Sequence, residues 1–130
     1  MKLRIKGNSI RLRLGQSEVY RLALNGAVEE LTIFGSGRGE RLGYEIRAAE
    51  DETVVRAGFD GLRIVVHVPA EMIDRWAGSD QVGIYAMQPT EQGELAVVIE
   101  KDFVCIDGDS GESQEDAFPN PALVAGARSC

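Results

Sequence analysis

Leu3 and Ile5 alternate with Lys2, Arg4 and Lys6, and after Gly7-Asn8-Ser9 the alternation resumes at Ile10, Leu12 and Leu14. A period of two marks a strand with one buried face. Val19, Leu22 and Ala23 then recur at helical spacing, which predicts a short helix with Ser17 as its N-cap and Asn25-Gly26 as its stop. Residues 31–34 and 42–48 read as two strands around a glycine-rich loop, 35–39. Residues 53–59 and 62–68 flank Asp60-Gly61, a strong hairpin signal. Pro69 suits the first position of a second helix, where its missing N–H costs nothing. Met72, Ile73, Trp76 and Ala77 form that helix's apolar face, so Trp76 is expected in the core, and Gly78 ends the helix. Residues 82–87 and 95–103 read as the last two strands, joined by a loop, 88–93.

The pattern repeats. Residues 10–51 and 62–102 each read strand, helix, strand, loop, strand, at an offset of roughly 52 residues, about one supersecondary unit. Ile10 to Leu14 aligns with Leu62 to Val66, and Leu42 to Arg47 with Leu95 to Glu100. The predicted fold is α+β: a mainly antiparallel sheet or partly closed barrel with two helices, built from two β-α-β-β units. Residues 1–106 make one domain. Residues 107–130 make an acidic, proline-containing tail in which Phe118 is the only aromatic residue.

Composition narrows the classes. A chain of 130 residues with 44% hydrophobic and 27% charged residues can bury a core without disulfide or metal. A net charge of −7 argues against nucleic acid as a partner. The charged start lacks the apolar stretch of a signal peptide, and no apolar run is long enough for a membrane span. Two cysteines far apart, Cys105 and Cys130, fit a reducing compartment, so a cytoplasmic location is expected.

Most motifs that suggest chemistry have a plainer reading. Gly35-Ser36-Gly37-Arg38-Gly39 has the wrong spacing for a dinucleotide fingerprint and precedes a strand, so it reads as a hairpin loop. Asp107-Gly108-Asp109-Ser110-Gly111-Glu112 alternates oxygen ligands, but position 5 is Gly111 and position 12 is Phe118, so it reads as a solvated linker. Cys105 reads as a small buried residue and Cys130 as a free thiol. A shared disulfide or metal role is the alternative. The only histidine, His67, shares a face with Arg63 and Val65 and has no nucleophile motif beside it, so it reads as an exposed structural residue.

The charge distribution carries more. Lys2, Arg4, Lys6, Arg11 and Arg13 fall in the first thirteen residues, which hold no acid. Alternation places Lys2, Arg4 and Lys6 on one strand face, and Arg11 and Arg13 on one strand face. If the faces coincide, they form a basic patch for a phosphate, a carboxylate or an acidic partner. The acidic segment 107–116 is the internal candidate to neutralise it. These five residues are the candidate ligand-binding set. No metal ligands and no cofactor are assigned.

The opening Met1-Lys2-Leu3-Arg4-Ile5-Lys6-Gly7-Asn8-Ser9-Ile10-Arg11-Leu12-Arg13-Leu14 is fairly specific. With Glu100-Lys101-Asp102-Phe103-Val104-Cys105, Pro119-Asn120-Pro121 and the terminal Cys130, it resembles a family of small bacterial proteins of unknown function. The resemblance covers nearly the whole chain and implies a bacterial, cytoplasmic protein, with no activity or site residue to carry over. At the level of fold, triphosphate-tunnel hydrolases offer an analogy, but their E-x-E-x-K signature is absent and the chain opens K-L-R-I-K. The leading expectation is therefore a non-enzymatic binding or interaction module that uses the basic N-terminal strand face. The alternative is a metal-assisted hydrolase or ligand-binding enzyme acting on a phosphorylated small molecule.

Overall fold

The computed structural model describes residues 1–103 and 116–119. Cys105, Cys130 and the acidic run 107–112 lie outside the described residues. Ten elements follow in order: β1 (Lys2–Ile5), β2 (Ser9–Leu14), α1 (Gln16–Asn25), β3 (Ala27–Ile33), β4 (Arg41–Ala49), β5 (Arg56–Phe59), β6 (Arg63–Pro69), α2 (Ala70–Ala77), β7 (Gly83–Thr90) and β8 (Gly93–Lys101). Two four-stranded sheets result, ordered β1-β2-β8-β7 and β3-β4-β6-β5.

Both sheets are mixed, which corrects the expectation of a mainly antiparallel sheet. The outer pairs of each sheet are antiparallel, but the central pairs β2–β8 and β4–β6 are parallel. Hairpin loops force only sequence neighbours to run antiparallel. β2 and β8 come from opposite ends of the chain, so no loop constrains their direction. Nor is the barrel closed, because no backbone ladder joins the two sheets. Side chains bridge the two seams instead. At one, the Gln88 amide accepts from the Ala57 N–H at 2.7 Å and donates to the Ala57 carbonyl at 2.9 Å. At the other, the Met1 amine pairs with Glu30 and Glu18, and the Tyr44 hydroxyl donates to the Met1 carbonyl at 3.3 Å.

The order of elements repeats as strand, strand, helix, strand, strand, one strand longer per unit than expected. Substituting β5 to β8 for β1 to β4, and the reverse, turns one sheet order into the other. Buried Ile10, Leu12 and Leu14 therefore correspond to buried Ile64, Val66 and Val68, each set leading into a helix. The alignment expected for this strand pair is off by two residues, whereas that of Leu42 to Arg47 with Leu95 to Glu100 agrees with the observed registers. That slip keeps every side chain on its own face, which is why alternation alone does not detect it.

Ile10, Leu12, Leu14, Ile46, Ile64, Val66, Val68, Val97 and Ile99 fill one core between the sheets. Val19 and Leu22 of α1 and Ile73 and Trp76 of α2 close it at one end. Trp76 is fully buried, and its indole N–H donates to the Val82 carbonyl at 3.0 Å. Boundaries shift in detail. Gly15, not Ser17, is the N-cap of α1, and Pro69 ends β6 ahead of α2. β3 begins at Ala27, β5 only at Arg56, and β7 runs through the expected loop to Thr90, paired with Gly93.

A strap from the tail completes the helix end. Asp116 accepts from the Ser17 hydroxyl at 2.6 Å and from the Ser17 N–H, and its carbonyl accepts from the Gln16 N–H at 2.8 Å. Phe118 donates its N–H to the Asp102 carbonyl at 2.7 Å, and its ring meets that of Phe103 in a tilted contact with centroids 5.9 Å apart. The absent side chain of Gly15 makes this possible: a Cβ there would lie 2.4 Å from the Asp116 carboxylate and 2.8 Å from its carbonyl oxygen.

Candidate functional site

The register of β1 and β2 brings the basic residues together. Lys2 lies opposite Arg13 and Arg4 opposite Arg11, while Leu3, Ile5, Ile10 and Leu12 take the other face. Lys6 extends the row at the turn, where its backbone exchanges hydrogen bonds with Ser9. Lys2, Arg4, Arg11 and Arg13 thus share the solvent side of the first sheet, with Lys6 at the turn that follows. Directly opposed like charges in a strand pair repel, and such an arrangement needs a counter-charge.

β8 supplies it in part. Arg13 sits beside Glu100, whose carboxylate lies 3.4 Å from Arg11 and 4.0 Å from Arg13. Tyr85 of β7 donates its hydroxyl to the same carboxylate at 3.0 Å. Burial, then the bond to Glu100, pushes the Tyr85 phenol above its ordinary value, with Arg11 acting the other way. Gly83 leaves room for this contact: a Cβ there would meet the Tyr85 oxygen at 2.8 Å and Glu100 Cγ at 2.9 Å. Lys2 pairs with Asp102 at 2.8 Å. Arg4 and Lys6 have no acidic partner among the described residues. The described part of the tail does not cover the face. Asp116 borders the same depression as Lys2 and Arg13 but spends its carboxylate on Ser17 at the start of α1.

Glu100, Asp102 and Tyr85 are the members of this site outside the candidate set read from the sequence. Their only sequence signal is position on the outer parity of their strands. The β2–β8 pairing that places them spans almost the entire chain.

The other candidates resolve simply. The Gly37 N–H is taken by the Glu40 carboxylate at 2.8 Å, so the glycine-rich loop is filled by its own acid. His67 is half-buried rather than exposed. It lies in register between Arg47 and Arg56, and its Nδ1 is buried without a hydrogen-bond partner among the described residues. On the same outer face of the second sheet, buried Glu45 binds Arg63 at 3.1 Å and Arg47 at 2.9 Å, and Arg63 also reaches Glu29 at 2.9 Å. Among the described residues, no three His, Cys, Asp or Glu side chains gather as metal ligands. No described helix is long and apolar enough to cross a membrane.

A family model described as a family of unknown function (DUF7009) matches residues 1–122. No curated protein and no solved structure matches the chain.

Proposed function

The chain belongs to the family of unknown function DUF7009, and we propose that it is a binding module engaging an acidic or phosphate-bearing partner through the outer face of β1 and β2. One observation carries this reading: Lys2 stands opposite Arg13, and Arg4 opposite Arg11, on one sheet face. Among the described residues, Glu100 and Asp102 pair with this row. Arginine forks matched to carboxylate or phosphate oxygens give short, charge-assisted hydrogen bonds. The chain's overall net charge of −7 limits non-specific attraction to polyanions, so recognition is local to the face.

Heparin and polyphosphate serve as test ligands, with binding measured by titration calorimetry at low and high salt. Binding is expected at low salt and should weaken as salt rises. Arg4→Gln together with Arg11→Gln should weaken it about tenfold or more, since hydrogen bonds to charged groups are worth roughly 1.5–3 kcal/mol each. Arg75→Gln on α2, away from the face, should leave it unchanged. Absence of low-salt binding, or equal binding by the double variant, overturns the reading.

A further inference from the structure

The outer strands are β1 and β7 in the first sheet and β3 and β5 in the second. An edge strand offers unpaired N–H and C=O groups to any other strand, and proteins blunt edges with short strands, basic side chains or proline. Three of these edges carry such a device. β1 has four residues and bears Lys2 and Arg4. β5 has four residues and begins with Arg56. β7 contains Pro89. β3 is different: it has seven residues and holds no proline, lysine or arginine. Every residue from Glu29 to Phe34 is exposed, with Leu31 at 46%, Ile33 at 61% and Phe34 at 73%.

The ladder shows which backbone groups of β3 are free. The Phe34 N–H donates to the Glu40 carbonyl at 2.7 Å, and the Ala48 N–H to the Gly26 carbonyl at 2.8 Å. Both pairs continue the β3–β4 register as hydrogen-bonded pairs. In an antiparallel pair these alternate with non-bonded pairs, so Val28, Glu30 and Thr32 bond to β4. Glu29, Leu31 and Ile33 therefore turn both N–H and C=O away from the sheet, and none of these groups takes another backbone partner among the described residues. Their side chains share the outer face, where Arg41 stands opposite Ile33.

This edge is complementary to itself. When two copies of β3 pair antiparallel with Leu31 opposite Leu31, Glu29 of each falls opposite Ile33 of the other. All these positions are bonding positions, and each pair exchanges two hydrogen bonds. Leu31 and Ile33 of both copies then form one apolar strip. Arg41 comes into the same row as Glu29 of the second copy, two strand spacings or roughly 10 Å away, within reach of its long side chain. Arg41 has no acidic partner among the described residues of its own chain. Glu29 binds Arg63 yet keeps 64% of its side chain exposed. This charge match selects a second copy over a strand of unrelated sequence.

We propose that the chain forms a two-fold dimer by antiparallel pairing of β3 with β3 of a second copy, centred on Leu31. The surface belongs to the second sheet and does not rest on the polyanion reading of β1 and β2.

Sedimentation of the full chain over a concentration series tests this, with amide exchange along β3 as a second reading. The chain should become dimeric as concentration rises. The amides of Glu29, Leu31 and Ile33 should gain protection with the dimer, whereas those of Glu30 and Thr32 should be protected at every concentration. Leu31→Lys sets like charges face to face at the axis and should raise the dissociation constant at least about tenfold. Leu31→Pro removes an N–H that the monomer does not use, so it should abolish the dimer and keep the buried-tryptophan fluorescence. Arg41→Glu should weaken the dimer. Exchange in the wild type decides the matter even if a variant fails to fold. A monomer at every concentration, a folded Leu31→Lys variant that dimerises as tightly as wild type, protection centred on another edge, or pairing of β3 with an added apolar peptide in place of self-association would each overturn the proposal.

Discussion

Lys101 is the least ordinary residue of the core. It occupies the inward parity of β8 after Val97 and Ile99, and it is buried. Its ammonium donates to the Ser79 carbonyl at 2.6 Å and lies over the rings of Trp76, at 6.0 Å, and Phe118, at 5.4 Å. Burial holds its pKa below the ordinary lysine value, with Asp80 acting weakly against this. The charged form is therefore less favourable in the folded state than in the unfolded chain. At neutral pH that cost is fully present. As pH rises through the folded value toward the ordinary lysine value, the folded state loses its proton first and the cost falls. Lys101→Met, which removes a buried charge, should match or exceed wild-type stability at neutral pH, by up to ~1–4 kcal/mol. In urea unfolding, the wild type should then gain on the variant as pH is raised. A constant difference across pH would show that the lysine does not titrate differently on folding. Trp76 lies beside it at the helix end, legible from its spacing with Met72 and Ile73. Lys101 was not legible, since a lysine on a strand ordinarily reads as solvated.

At the scale of elements, the strap 116–119 and helix α1 depend on each other. α1 starts at Gly15, which has no side chain to cap the exposed N–H groups of its first turn. Glu18 accepts the Gly15 N–H at 3.0 Å, and Asp116 supplies the oxygen that a serine or aspartate cap would provide. The cap thus comes from about a hundred residues away in sequence, which is why Ser17 looked like the local candidate. Asp116→Ala should cost about 0.5–2 kcal/mol, the usual worth of an N-cap. It should also raise amide exchange at Gln16 and Ser17. Unchanged exchange there would show that α1 holds its start without the strap. Deleting residues 107–130 would remove this cap and the Phe103–Phe118 ring contact as well as acidic charge.

For the whole molecule, each sheet takes two strands from each half of the chain. β1 and β2 bind β7 and β8, and β3 and β4 bind β5 and β6. Neither half contains a complete sheet, and the buried faces of β2 and β6 meet only when both halves are present. A fragment ending at residue 51 should therefore be unfolded alone by circular dichroism. Mixed with residues 52–130, it should recover the sheet signal and the buried-tryptophan fluorescence of the intact chain. Independent folding of either fragment would contradict the shared core. Among the described residues, helices follow β2 and β6 of the central strands and cap one end of the sandwich.

Local alternation, helical spacing and turn residues determined the elements of this protein, because each depends on neighbours a few residues apart. They were enough for the two helices, for the hairpin at Asp60-Gly61, for Trp76 in the core, and for the faces of Lys2, Arg4, Arg11 and Arg13. They also suggested a repeated order of elements, with one strand too few in each unit. Tertiary structure decided the rest. The direction of β2 against β8, Glu100 and Tyr85 beside the arginines, Asp116 on α1 and Gln88 across the seam all join residues distant in sequence. Alternation specifies which face a side chain takes but not which strand lies beside it. That choice rests on the packing of one core shared by both halves of the chain.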